Sequence, residues 1–365
     1  MKLLDRHILR ELLGPFVFGV AAFTSLMFAG KELFSITELM AEYHASLIVA
    51  VKLFFLLIPS LVVMTLPMAM LLSALLGFGR LSGDSEVVAL FASGVSLYRI
   101  AIPVVILAIL VTVSSFVLSE KIAPQAFYEY QQTAKQLRHD ATSNTKPILG
   151  QELEDETGRG MSYNIKGGLD ISSGVAKDVT VVQFENHKPV LLIYGKEALW
   201  SGDEHPDQWR FKQGFVNALG SGQTYSVPKF NDTVVKINRT PSQLELYQKK
   251  PDEMNFNQLQ AYIRLIEKER QDTKQLRVRL YQKISLPIAS LIFALIGTPL
   301  GLRPQRSSPA MGLGLSIVII FAYWVLTHYM SLLGENGTLS PVAACLIPNL
   351  AGVATGIALI KRAAK

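Results

Sequence analysis

The stretch LFFLLIPSLVVMTLPMAMLLSALLGFG, Leu53 to Gly79, runs for 27 residues without a charged side chain. An α-helix rises about 1.5 Å per residue, so about 20 apolar residues cross the hydrocarbon core of a bilayer. Five further uncharged runs of 19 to 28 residues lie at 12–30, 100–119, 284–302, 307–334 and 336–360. Because backbone polar groups in lipid must be satisfied within the segment, we interpret each run as a helix. The sequence therefore predicts six transmembrane helices.

The composition agrees with a protein that lies largely in lipid. Half of the 365 residues are hydrophobic and only 18% are charged, against about 25% in soluble domains. A single cysteine, Cys345, excludes a disulfide framework and a thiolate metal cluster within one chain. Basic residues precede the first run, as in a signal peptide. That run is longer than the usual apolar core of about 7–15 residues, so we expect an uncleaved span.

Basic residues in the short flanks predict the orientation of the chain. If the N-terminus is cytoplasmic, the inward flanks carry ten Lys and Arg residues and the short outward loops carry two. This bias follows the positive-inside rule, so we expect both termini in the cytoplasm and residues 120–283 outside. The inward residues are Lys2, Arg6, Arg10, Arg80, Arg99, Arg303, Arg306, Lys361, Arg362 and Lys365, and the outward residues are Lys31 and Lys52.

Short strands are predicted between the third and fourth runs. The segments 178–184, 190–194, 209–216 and 233–237 alternate or are rich in β-branched and aromatic residues, and turn formers separate them. This pattern predicts an antiparallel sandwich, jelly roll or open barrel over 143–250. Such a domain can serve as a solvated sensor or lid, or as a container or slide for an apolar ligand. The pattern leaves both roles open.

The spans lack the groups that ion transport or hydrolysis needs. The six runs contain no Asp, Glu, Lys or Arg, whereas coupled transporters place ionisable groups near the bilayer midplane. We interpret His328, in the fifth run, as an interfacial residue rather than a proton relay. The sequence holds no HExxH, Gly-x-Ser-x-Gly or GxxxxGK[ST] motif. We therefore expect no ATPase site on this chain, and any ATP must be bound by another chain.

Small residues spaced four apart predict close helix contacts inside the bundle. The pairs are Gly352 with Gly356, Gly312 with Ser316, and Ser73 with Gly77. Prolines at positions 15, 59, 67, 103, 287, 299, 341 and 348 predict kinks. Kinked walls can enclose an apolar cavity.

The loop GRLSGDSEVVALFASGVSLYR, Gly79 to Arg99, separates the second and third runs. Asp84, Ser85 and Glu86 precede an amphipathic helical turn, and Gly94 can end it. A capped interfacial helix explains this pattern, and so does a short cytoplasmic helix that fits a socket on a partner.

This loop resembles the DSE…A…SG.S segment of the LptF/LptG (YjgP/YjgQ) family, the lipopolysaccharide export permeases. Similar segments recur at Glu120–Pro124 (EKIAP), at Leu286–Ser316, and at Pro341 with Ile347-Pro348-Asn349. These segments cover both membrane halves, and the order of three spans, outer β-domain and three spans covers the rest.

The resemblance implies an α-helical membrane protein with six transmembrane helices plus an inserted periplasmic all-β, jellyroll-like domain. Three parts are expected. Residues 1–142 hold helices 1–3 with a coupling helix at about 82–94, residues 143–250 hold the β-domain, and residues 251–365 hold a periplasmic linker helix and helices 4–6.

The resemblance also implies a function and a set of partners. The chain would be a permease subunit of an inner-membrane ABC transporter that extracts lipopolysaccharide from the outer leaflet and passes it to a periplasmic bridge protein. ATP and Mg would bind a cytoplasmic ATPase dimer, and a second LptF/LptG-type permease would complete the complex. No cofactor on this chain and no nucleic acid partner are expected. The alternative is a membrane-anchored sensor or scaffold whose β-domain binds a ligand.

The resemblance assigns site residues as well. Asp84, Ser85 and Glu86 would couple to the ATPase, with Glu86 as the contact, and Lys31 would bind lipid phosphate. A basic residue after the Ala-Pro turn corresponds loosely, to Lys135 or Arg138, and Arg279 departs from a frequently acidic position. For the basic residues before the fourth run, solvated pairs with Glu267 and Glu269 remain an alternative to an anionic headgroup. The further candidates for phosphate are Lys135, Arg138, Arg277 and Lys283.

Overall fold

A computed structural model of the protein describes residues 3–43, 45–141, 148–152, 159–170, 173–186, 188–202, 204–220, 223–302 and 309–363. The chain divides into a membrane unit, Met1–Leu137 with Thr273–Lys365, and a β unit, Arg138–Asp272. Six helices in the described part are long and apolar enough to cross a membrane. The six predicted spans and the inserted all-β domain are therefore confirmed.

The first half of the membrane unit contains three long continuous helical stretches. Its elements are α1 (Leu3–Met27), a first π-helical segment (Phe28–Glu32), α2 (Leu33–Tyr43), α3 (Leu47–Gly83), α4 (Glu86–Ala92), α5 (Leu97–Val117), a second π-helical segment (Leu118–Ile122) and α6 (Ala123–Ala141). Ser46 and Ser96 cap α3 and α5, since each side chain accepts a hydrogen bond from a first-turn amide. Both π-helical segments extend a membrane span into a further helix.

The β unit contains one antiparallel sheet in nearly sequential order. Its strands are β1 (Ile148–Glu152), β2 (Arg159–Ile165), β3 (Leu169–Asp170), β4 (Val175–Glu185), β5 (Lys188–Trp200), β6 (Gln208–Gly220) and β7 (Gln223–Lys236). The order is β1-β2-β4-β5-β6-β7, with β3 paired to β4. Alternate residues of the strands form a core around the fully buried rings of Tyr163, Trp209 and Phe211. The four predicted strand segments lie in β4 to β7.

Helices complete the β unit beyond the sheet. They are α7 (Pro241–Gln248), a 3₁₀ turn (Pro251–Glu253) and α8 (Phe256–Lys268). The helix α8 falls in the β unit. The reason is a buried link: Glu269, just after α8, pairs with Arg239 at 3.1 Å and accepts a hydrogen bond from Tyr247.

The second half of the membrane unit comprises α9 (Lys274–Gly301), α10 (Pro309–Glu335) and α11 (Pro341–Ala363). Small residues bring these helices close. A Cβ atom added at Gly352 would lie 2.4 Å from Ile292, and one at Gly356 would lie 3.0 Å from Leu295. The close contact that the Gly352 and Gly356 pair predicted is therefore present, between α11 and α9.

Candidate functional site

The contact between α1 and α3 differs between its two halves. In the first half, which we call the clasped seam, residues 5–19 of α1 pack against residues 69–81 of α3. In the second half, residues 16–28 of the first helical stretch and residues 54–66 of α3 flank a partly open space that we call the apolar cavity.

Small residues bring the two helices together along the clasped seam. A Cβ atom added at Gly19 would lie 3.1 Å from the Cα of Ala69, and one at Gly77 would lie 2.8 Å from Leu12. The buried hydroxyl of Ser73 donates a 2.7 Å hydrogen bond to the carbonyl oxygen of Leu12. No larger side chain fits at these glycines without displacing a neighbour, so the predicted role of Ser73 and Gly77 in helix contact is confirmed.

The N-terminal turns of α1 also contact three different segments through polar or charged side chains. Each pair joins α1 to a different place: the start of α5, the start of α4 and the last turn of α3. The pairs are Asp5 with Arg99 at 2.6 Å, His7 with Glu86 at 2.8 Å, and Glu11 with Arg80 at 3.3 Å. Between them, Ile8 and Leu12 are fully buried in a hydrophobic cluster with residues of α3, α4 and α5.

The apolar cavity has a volume of about 580 Å³, and the described residues that line it carry no charge. Most of these side chains are aromatic or aliphatic, among them Phe16, Phe28 and Phe54, and Thr24 and Ser25 add polar atoms. The Thr24 hydroxyl is hydrogen-bonded to Thr65 at 3.0 Å. The volume of the apolar cavity lies within the range of small-molecule sites, about 300–1,000 Å³. A wall of this chemistry suits hydrocarbon and offers nothing to an ion.

The first π-helical segment connects this cavity to a predicted phosphate ligand. Phe28, in its first turn, lines the cavity, and Lys31 lies three residues further in the same segment. π-helical turns occur frequently at functional sites. The side chain of Lys31 itself lies outside the described part of the structure.

The other predicted phosphate ligands lie on separate elements. Lys135 is half-buried on α6, whereas Arg277 is exposed and Lys283 is half-buried on α9. Arg277 and Lys283 both interact with other residues of the chain. The side chain of Arg138 lies outside the described part. Their role in phosphate binding stays a prediction.

The predicted coupling residues lie at the start of α4. The preceding helix α3 ends at Gly83, and α4 begins at Glu86. Ser85 adopts a left-handed φ of 62° and makes no side-chain cap, and Gly94 ends the segment at a φ of 85°. Val87 is buried, whereas Val88 and Phe91 are 54% and 42% exposed. A short helix thus presents two apolar side chains outward.

The β unit contains a cavity of a different kind. It measures about 550 Å³ and is lined by hydroxyl, amide and carboxylate groups, including Asn164, Thr180, Tyr247, Tyr262 and Glu269. Burial, together with the hydrogen bond to Glu269, raises the pKa of Tyr247, and burial raises the pKa of Tyr262. Both hydroxyls are therefore neutral at physiological pH. This cavity offers hydrogen-bonding groups beside aliphatic side chains, in contrast to the cavity of the membrane unit.

Metal binding finds no support in the part of the chain that the structure describes, where no group of three His, Cys, Asp or Glu residues is placed to hold an ion. Asp5, His7 and Glu11 are not among the site residues that the sequence predicts. For Asp5 and Glu11 the sequence does hold a signal, because these acidic residues in the first helix match Arg99 and Arg80, which flank the predicted coupling loop.

Comparisons with known proteins agree with this arrangement. The sequence profile of the family "Lipopolysaccharide export system permease LptF/LptG" matches residues 6–362. The lipopolysaccharide export system permease protein LptG of Escherichia coli strain K12 is 26% identical over 298 residues, covering 80% of this chain and 79% of that protein. LptG of Haemophilus influenzae is 23% identical over 302 residues, covering 78% and 77%. With its six spans, this multi-pass inner-membrane protein belongs to the LptF/LptG family of lipopolysaccharide export permeases.

Proposed function

We propose that this chain is an LptG-type permease subunit that extracts lipopolysaccharide from the outer leaflet of the inner membrane and passes it to a periplasmic bridge protein. The observation that carries the proposal is the apolar cavity, which lies between two membrane spans and is lined, among the described residues, by uncharged and mostly apolar side chains. The LptG type follows the names of the similar proteins from E. coli and H. influenzae.

Acyl chains are the part of the cargo that the apolar cavity suits. Exposing an acyl chain to water costs about 0.8 kcal/mol per methylene. A hydrocarbon wall offsets this cost during extraction, whereas ion-pairing groups would add nothing. The same cost explains why extraction needs an external source of work.

Basic residues at the outer ends of the spans are the proposed phosphate ligands. Lys31 follows the cavity-lining Phe28 along the first π-helical segment. An ammonium–phosphate contact in a partly desolvated site is a strong, charge-assisted hydrogen bond. Lys135, Arg138, Arg277 and Lys283 are further candidates that lie on other elements.

The work of ATP hydrolysis on a partner is proposed to reach this chain through α4. A separate cytoplasmic ATPase dimer would bind ATP and Mg and contact Glu86, with Asp84 and Ser85 beside it. The exposed side chains of Val88 and Phe91 would fill an apolar socket on that partner. A second permease of the family would complete the complex. This chain would then carry no nucleotide and no cofactor of its own.

The proposed orientation places both termini in the cytoplasm and the β unit in the periplasm. It rests on an excess of Lys and Arg in the short segments next to the spans. This excess lies at both termini and around α4, which are therefore placed on the same side of the membrane. The β unit would then receive the lipid on the side where the bridge protein is located.

Replacement of Glu86 tests the coupling role. The complex of both permeases and the ATPase is reconstituted in lipopolysaccharide-containing proteoliposomes, and ATP-driven release of lipid to the bridge protein is measured. We expect Glu86→Ala to lose ATPase binding and release, and Glu42→Ala, an exposed carboxylate on α2, to behave as wild type. Full release by Glu86→Ala would refute the coupling role.

A sensor that binds a ligand in its β-domain remains the second candidate, because the β unit contains a polar cavity of about 550 Å³. The same reconstitution separates the two functions. A permease moves lipid in proportion to ATP consumed, whereas a sensor changes its affinity for a partner without net lipid release.

A further inference from the structure

We infer that α1 transmits the movement of α4 to the apolar cavity, and that His7 is the positioning residue that connects the two by holding Glu86. This inference rests on the proposed function, because Glu86 is its proposed contact with the ATPase. It assigns a role to the first turns of α1 that membrane insertion alone does not require.

The placement of the three charged pairs supports this role. Successive residues of an α-helix are about 100° apart around its axis. His7 and Glu11 therefore lie about 40° apart on one face, towards α4 and α3, whereas Asp5 lies about 200° from His7, towards α5. Their partners are Glu86, Arg80 and Arg99. The N-terminal turns of α1 are thus held from two sides by the segments that flank the coupling loop.

The path from this end of α1 to the cavity is one continuous helix. Leu3–Met27 is helical throughout, and its buried residues Ile8 and Leu12 pack in the cluster that contains Val87 of α4. Gly19 and Ala69 keep α1 in contact with α3 next to the cavity. Residues of α1 from Phe16 onward then form one wall of that cavity. A displacement of α4 therefore reaches the cavity wall through a single packed element.

His7 is suited to position Glu86 rather than to bury it. The Nε2 atom of His7 lies 2.8 Å from Oε2 of Glu86, and their side chains are 47% and 44% exposed. One carboxylate oxygen is thereby oriented by α1, while the half-exposed group stays accessible to a cationic side chain of a partner. Loss of the imidazole would leave Glu86 on the surface but free to rotate.

The test measures ATP consumed per lipopolysaccharide released in the reconstituted full complex. We expect His7→Ala to retain ATPase binding and to raise this ratio about two- to fivefold, the range that one exposed side-chain pair contributes. His7→Gln, which keeps a side-chain N–H donor, should restore a ratio near wild type, and His7→Glu should raise it further by repelling Glu86. Arg10→Ala, an exposed basic residue on the same helix, is the matched control.

The outcomes separate this inference from the proposed function. Equal ratios for wild type and a folded His7→Ala complex, with release abolished by Glu86→Ala, would overturn the role of His7 alone. Normal release by Glu86→Ala would instead refute the proposed coupling site. If His7→Ala fails to assemble, the inference is tested by comparing His7→Gln with His7→Glu. Equal ATP consumption per lipopolysaccharide released by these two variants would overturn it.

Discussion

The same two helices, α1 and α3, pack closely in one half of their contact and stand apart in the other half. In the clasped seam, glycines and a buried serine bring the backbones together, and charged pairs fix the end of α1. In the apolar cavity, aromatic and aliphatic side chains keep the helices apart around about 580 Å³. The difference teaches that residue size, rather than hydrophobicity, decides which part of a membrane helix pair is closed and which part can accept a ligand.

The largest effect on lipid binding is expected from filling the cavity. Ala21→Trp places an indole in a wall position. Displacing about two methylenes of an acyl chain costs about 1.6 kcal/mol, which is more than tenfold in affinity. Lipopolysaccharide binding to the purified complex measures the loss. Ala22→Trp, on the neighbouring exposed position, should bind as wild type, and equal losses for both variants would contradict the assignment of the cavity.

The next effect is expected from opening the seam. Gly19→Leu forces a side chain against Ala69 and Leu72, where even a Cβ atom would lie 3.1 to 3.3 Å from its neighbours. Overpacking of this kind lowers the free energy of unfolding by about 1–3 kcal/mol. Thermal unfolding in detergent provides the measurement. Gly14→Leu, where the added atom meets nothing within 4 Å, is the control and should leave the midpoint unchanged.

A smaller effect is expected from the polar contact of the seam. Ser73→Ala removes the buried hydroxyl that donates to Leu12. The loss of one such hydrogen bond costs about 0.5–1.5 kcal/mol. Ser25→Ala, on an exposed hydroxyl of α1, should cost less in the same denaturation experiment. A Ser73→Ala protein as stable as wild type would show that packing alone holds the seam.

The smallest effect is expected from the exposed pair of Glu11 with Arg80, whose side chains are 23% and 62% exposed. Arg80→Ala should lower stability by less than about 1 kcal/mol, because solvent screens such a pair. The difference should decline further in high salt. A larger loss that salt does not reduce would mean that the Arg80 stem contributes packing instead of charge.

The spans and half of the sheet could be predicted because each follows from a local pattern. Lipid requires uncharged runs, and those runs recur in the sequence at sufficient length. The alternation in β4 to β7 likewise reflects one buried face. β1 to β3 were not predicted, since they are short or rich in glycine, serine and asparagine. The eight-residue α7 was missed for a similar reason, as its polarity has no clear period.

The site could be predicted only where its residues are neighbours in the sequence. Glu86 belongs to a contiguous motif, and Lys31 follows an uncharged run. His7 and Glu86 are 79 positions apart, so no periodicity connects them. The apolar cavity depends in the same way on two segments whose separation is set by glycines elsewhere in the helix pair. Such pairings follow from the packed structure alone.

The most direct test of the account is photo-crosslinking from the cavity wall to lipopolysaccharide. A photoreactive amino acid at Ala21 or at Ala22 is incorporated into the reconstituted complex, and the crosslinked lipid is quantified before and after ATP is added. The account predicts a strong crosslink from position 21 that ATP diminishes, and little from position 22. Equal crosslinking from both positions, or a signal that ATP leaves unchanged, would contradict it.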